Sequence, residues 1–154
     1  MSNRDEVRRI AQAHADFYSS HEDLDFDALA REHWAPDIEI YLGGSSTPVA
    51  LDDFMRLHSP ESGFDWGKTH MDVERVVVGD DEFVLRTVIT QWRSHEADAI
   101  EASGDTSRQA ALEGYQNEPI PSITFYTVKN GKVTRSEGFV FLSPALIASG
   151  AARR

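Results

Sequence analysis

The chain contains no cysteine. That absence excludes a disulfide scaffold, thiolate zinc and iron–sulfur sites, and a cysteine nucleophile. Positive charge is scarce: 15 Lys and Arg stand against 26 Asp and Glu, a formal charge of −11. Such a surface repels phosphate backbones and anionic membranes, so neither nucleic acid nor membrane is expected as a partner. No apolar run approaches the roughly 18 residues of a membrane span. The opening Met1-Ser2-Asn3-Arg4-Asp5-Glu6 is polar, unlike a secretory leader, and the expected location is the cytoplasm. There is no P-loop, dinucleotide fingerprint, HExxH helix, calcium loop or nucleophile elbow, and no cofactor is expected. Gly43-Gly44-Ser45-Ser46 lacks the lysine of a phosphate cradle and reads as a strand-to-helix turn. No two histidines stand at a metal-ligand spacing with a carboxylate partner, so no metal is expected.

What is present suits one globular domain. The 154 residues, 40% hydrophobic and 27% charged, form a single domain over 1–154 that can bury a core without disulfide or metal. Val7, Ile10, Ala11, His14, Phe17 and Tyr18 recur on one helical face, and Asn3 with Glu6 reads as the capping box that starts this helix. Asp25 caps a second helix with the stripe Phe26, Leu29, Ala30 and His33, ended by Pro36. Residues 37–42 alternate as a strand, with Ile38, Ile40 and Leu42 opposed to Asp37, Glu39 and Tyr41. Thr47-Pro48 opens a third helix bearing Leu51, Phe54, Met55 and His58, closed by Pro60.

Beyond it the reading is of strands, over 70–78, 82–94, 122–129 and 132–142. The first two are joined at Gly79-Asp80-Asp81 and the last two at Asn130-Gly131, a strong hairpin signal. Runs such as Val76-Val77-Val78 and Phe139-Val140-Phe141-Leu142 imply a sheet covered on both faces, by the helices and by a second subunit. The polar stretch at about 93–121 reads as an insertion over one end of the sheet. Asp105-Thr106 caps a short helix in it, and it is either a lid at a pocket edge or a subunit-contact arm.

Six histidines carry the acid/base options. His14, His33 and His58 lie on apolar helical faces and read first as packing residues; His21 and His95 sit in polar segments and read as solvated. His70 opens a strand, where a side chain reaches the mouth of a helix-covered sheet. Asp72, two residues on, shares its strand face and is placed to orient the imidazole, the alternative being a surface pair without a role. Arg86 lies inside Phe83-Val84-Leu85-Arg86-Thr87-Val88-Ile89. It either pairs with a carboxylate across a subunit interface or lines a polar pocket floor. Trp92 and Tyr126 serve as apolar pocket wall or as core.

The element order, with Ala15-Asp16-Phe17-Tyr18, Asp25-Phe26-Asp27-Ala28-Leu29, Trp34-Ala35-Pro36-Asp37-Ile38-Glu39-Ile40, Thr69-His70, Val78-Gly79-Asp80-Asp81 and Val128-Lys129-Asn130-Gly131-Lys132-Val133, resembles the nuclear transport factor 2-like superfamily. That group includes ketosteroid isomerase, SnoaL-like polyketide cyclases, limonene epoxide hydrolase and scytalone dehydratase. The likeness spans about residues 5–143 outside the insertion. It implies an α+β fold: a cone-shaped, curved, mixed but mostly antiparallel sheet, cystatin-like, with N-terminal helices on its concave face and a homodimer through its convex face.

It also implies a cofactor-independent isomerase, cyclase or dehydratase acting on a small hydrophobic polyketide- or steroid-like molecule. In that reading His70 is general acid/base, Asp72 its orienter, Tyr18 and Tyr41 donors to a substrate oxygen, and Arg86 an anion stabiliser or pocket floor. Trp92, Tyr126 and His14 line the site, and no metal takes part. A non-catalytic ligand-binding or assembly module is one alternative. An epoxide hydrolase using Arg86 with Glu137 or Asp72 is another. The isomerase's aspartate base position holds Tyr41 and its second acid falls near Thr124. The epoxide hydrolase Arg-x-Asp becomes Arg86-Thr87-Val88. Tyr18 and His70 match the helix-one tyrosine and strand-opening histidine of scytalone dehydratase, while that enzyme's second histidine and its asparagine fall near Arg93 and Ile123.

Overall fold

A computed structural model describes residues 2–20, 25–57, 70–91, 102–107 and 119–141. Helix α1 (Asn3–Ser19) starts one residue earlier than the Asn3–Glu6 pattern predicts. Ser2 is the N-cap: its hydroxyl accepts from the Asp5 N–H at 3.2 Å, and the Asp5 carboxylate accepts from the Ser2 backbone. Ser-x-x-Asp satisfies two orphan donors reciprocally. Asn3 is thereby released to donate from its amide to the Asp80 carbonyl, tying the helix start to a distant turn.

Helix α2 (Phe26–His33) is capped by Asp25, which accepts from the Ala28 N–H at 2.9 Å. It passes without a loop into strand β1 (Trp34–Leu42), so Pro36 lies in a strand rather than ending the helix. Between Trp34 and Glu39 the register shifts, and an edge strand with an irregularity tolerates a residue that has no N–H. Pro48 likewise precedes a bridge, not a helix: the Val49 N–H donates to the Ile40 carbonyl at 2.7 Å, partly covering the free edge of β1. Helix α3 (Leu51–Leu57) follows; Pro60 and His58 lie outside the described residues.

Strands β2 (His70–Val78), β3 (Glu82–Gln91), β4 (Ile120–Lys129) and β5 (Lys132–Val140) complete a sheet of order β1-β5-β4-β3-β2. β1 and β5 are parallel and the other neighbours antiparallel. The β4–β5 turn has Asn130 at φ 51° and Gly131 at φ 73°, the pair of positive values a two-residue hairpin requires. Register shifts in β1–β5, β2–β3 and β4–β5 bend and coil the sheet.

The helices cover one face. α1 lies against β2 and β3, and α2 and α3 lie against β1. Val7, Ile10, Phe26, Trp34, Ile40, Phe83, Leu85, Val128 and Val133 form the core between them. The outer face keeps large apolar side chains in solvent, with Val77 at 47% and Phe125 at 42% exposure. Of the insertion, the helical turns around Gly104 and the last residues, which open β4 at Ile120, are described, and the lid expectation lies largely outside the described residues.

Candidate functional site

Strand pairing sets three straight rows across the inner face. Phe83, Tyr126, Ser136 and Ile40 form the first, Leu85, Thr124, Gly138 and Leu42 the second, and Thr87, Ser122 and Val140 the third. No residue of these rows carries a charge. Their polar atoms are hydroxyls, and Thr87 and Ser122 share a hydrogen bond.

Above the first row stands His14 of α1, fully buried. Trp34 donates from Nε1 to His14 Nε2 at 2.9 Å. Indole nitrogen only donates, so Nε2 accepts, and Nδ1 carries the proton and donates to the Ile10 carbonyl at 2.8 Å. The ring packs against both Phe83 and Tyr126, with centroids 5.2 and 5.0 Å away, and those two rings stack on each other at 4.5 Å. Burial first, and His33 nearby, pull its pKa down from 6.5 to about 4. A neutral imidazole with both nitrogens engaged positions its neighbours and has no lone pair left for a substrate proton.

One turn further along α1, Tyr18 hydrogen-bonds Tyr126, which also bonds Thr124. Burial pushes the Tyr126 phenol up to about 12 and raises Tyr18 well above its ordinary value. Both stay protonated at neutral pH. A chain of un-ionised hydroxyls therefore runs from helix to sheet, able to donate to an oxygen on the inner face.

Of the residues singled out from sequence, Tyr18, Tyr126 and His14 meet there. Three others face outward. Tyr41 follows the inward Ile40; its hydroxyl donates to Glu39 Oε2 at 3.1 Å, and Arg135 lies 4.5 Å from its ring centroid. Asp72 is exposed beside the buried Met71 and paired with Val88, an extra residue of β2 between Val73 and Arg75 having changed the phase of the strand after the turn end. Arg86 sits between the inward Leu85 and Thr87, exposed, its Nε 3.0 Å from Glu74 Oε2. The carboxylate it needs comes from the next strand of the same chain, and Arg86, the residue matched to the arginine of an epoxide hydrolase, points away from the inner face. Glu137 pairs with Arg135 on the outer side.

His70 has its backbone paired with Gln91 at one end of β2. Its side chain and Trp92, His21 and His95 lie outside the described residues. Thr87, Ser122, Thr124, Ser136 and Gly138 were not singled out as site residues. Ser122, Thr124 and Tyr126 do alternate visibly, but only the register shows that Thr87 and Ser136 join them. Among the described residues no three His, Cys, Asp or Glu groups gather as a metal site.

No family model matches the chain, and no curated protein matches it. Solved structures do. A proposed SnoaL-like polyketide cyclase from Jannaschia sp. CCS1 superposes with a TM-score of 0.65 at 15% identity, covering 97% of this chain and 94% of that one. A proposed ketosteroid isomerase from Kribbella flavida DSM 17836 gives 0.61 at 17% identity, over 93% and 83%. An NTF2-like protein of unknown function from Mesorhizobium loti gives 0.58 at 15%, over 92% and 96%. The chain has the nuclear transport factor 2-like fold. At these identities the likeness establishes architecture and leaves chemistry to the residues. Within the nuclear transport factor 2-like frame of this chain, the helix-covered sheet face carries hydroxyls, while the described sheet charges named above point away from it.

Proposed function

We propose that the chain is a cofactor-independent isomerase, cyclase or dehydratase of the cytoplasm, acting by acid/base chemistry on a hydrophobic, polyketide- or steroid-like molecule. The hydroxyl chain Tyr18–Tyr126–Thr124 carries this reading. Protonated phenols in an apolar setting stabilise an enolate-like oxygen as its charge develops, and do so more strongly than in water. The proton itself requires a group that titrates near neutrality. We assign that role to His70, at the start of β2, an imidazole being the side chain that titrates there without large adjustment. Arg86, Asp72 and Tyr41 have no part in this scheme. The names of the solved neighbours, cyclase and isomerase, support a small-molecule reaction of this class.

The test is deuterium exchange at the carbon beside the carbonyl in a panel of cyclic ketones, followed by NMR in D2O. Wild type is expected to accelerate exchange for at least one bound ketone, and His70→Ala to lower that rate by about 100-fold or more. Ketones that bind without accelerated exchange support a second reading, a non-catalytic binding module, which the uncharged inner rows favour. The functional unit is proposed to be a homodimer through the outer sheet face, where Val77, Val84 and Phe125 stand in register across three strands.

A further inference from the structure

Glycine weakens the interior of a strand, and each one there calls for a reason. Among the described glycines, Gly43, Gly44, Gly104 and Gly131 have positive φ, and a Cβ on Gly79 would lie 3.3 Å from the Glu82 carbonyl oxygen. Gly138 has neither reason. Its φ lies outside the left-handed region, and the only described atom within 4 Å of an added Cβ is Thr124 Oγ1, at an ordinary 3.7 Å. It is nonetheless paired on both sides, to Thr124 of β4 and Leu42 of β1, and it remains partly exposed. Among the described residues, neither backbone conformation nor packing asks for glycine at this position.

We propose that Gly138 is a specificity notch: its bare backbone seats a flat, uncharged part of the ligand, with a ligand oxygen hydrogen-bonded to the Thr124 hydroxyl. This rests on the inner face being the ligand site. In the row Leu85–Thr124–Gly138–Leu42, two leucines bracket one hydroxyl and one missing side chain. The leucines form apolar walls for a ring, the notch admits its face, and Thr124 supplies one polar contact beside Tyr126. None of the three inner rows offers a counter-ion, so a carboxylate or phosphate lying on them would be desolvated without compensation. The net charge of −11 also disfavours anions. The ligand class is a neutral ring compound bearing a hydroxyl or ketone.

The experiment titrates the full chain, labelled with 15N, with 2-naphthol and with 2-naphthoate as its charged counterpart. For wild type, 2-naphthol is expected to shift the Gly138 and Thr124 amides and to bind at least tenfold more tightly than 2-naphthoate. Gly138→Ala should weaken 2-naphthol about threefold and Gly138→Val tenfold or more. Gly138→Ala should melt at the same or a higher temperature, since alanine fits this backbone and narrows the unfolded ensemble. Wild-type affinity in both variants, with the inner-face shifts retained, overturns the notch and leaves the site standing. A lower melting temperature in Gly138→Ala overturns it too, because the glycine would then serve packing. Equal affinity for the two probes overturns the preference for a neutral ligand. No inner-face shift with either probe at millimolar concentration removes both the notch and the site on which it rests.

Discussion

Trp34 donates to the Nε2 that an added proton would occupy, so His14 is neutral in the folded chain. The pH dependence follows in sign. The folded-state pKa, about 4, lies below the ordinary 6.5, so between those values the unfolded chain binds more protons. The stabilisation is complete above pH 6.5, falls as pH drops towards 4 and is flat below that. Integrated, the shift corresponds to roughly 3 kcal/mol. His33 is depressed as well, chiefly by burial, and loses stability in the same direction. His14→Gln keeps a donor for Ile10 and an acceptor for Trp34 but cannot titrate. Melting curves from pH 7.5 to 4.5 should therefore fall less steeply for this variant than for wild type, with His33 common to both. Equal slopes would mean that His14 is not the acid-sensitive group.

Turns and strands respond to one substitution in opposite ways. Gly131 sits at φ 73°, and a Cβ there would come within 2.6 Å of Glu6 Oε1. Glu6 is a flexible side chain and can withdraw, so the backbone sets the larger part of the cost. Gly131→Ala is expected to destabilise by about 1–2 kcal/mol, the penalty for holding an L-residue in the left-handed region. Urea denaturation would register this as a lower midpoint at unchanged slope. Gly138→Ala, only seven positions along in the same hairpin, should cost nothing. The difference lies in φ and not in the identity of the residue.

Across the sheet, the outer row Val77, Val84, Phe125, Glu137 and Tyr41 runs from apolar to polar. Arg86 with Glu74, and Arg135 with Glu137, flank its apolar part. Phe125 packs edge-on against Phe139, with ring centroids 6.2 Å apart, widening the band. An apolar strip with charges of both signs at its borders can meet a copy of itself about a twofold axis. Light scattering at micromolar concentration should give about twice 17.2 kDa, and Val84→Arg should return one chain's mass with far-ultraviolet circular dichroism unchanged. A wild-type monomer at that concentration would end the dimer reading.

Much of this architecture was legible because its determinants are local. The helical face of α1, the Asp25 cap and the Asn130-Gly131 turn depend on neighbours within four residues, and each appears where periodicity and turn chemistry put it. So does the alternation of β1, in which Ile38, Ile40 and Leu42 mark the inward side and Tyr41 the outward one; placing Tyr41 in the site followed a family position against that alternation. Local pattern could not orient Arg86, because Phe83-Val84-Leu85 is apolar at both parities and the signal that distinguishes faces cancels. It could not place Asp72 either, since a bulge changes the phase of a strand and no single residue announces it. The hydroxyl rows, the His14–Trp34 bond and the seat at Gly138 join residues far apart in sequence. Side-chain types and periods are properties of the chain, whereas strand register and the helices packed on one face decided which of those side chains share a site.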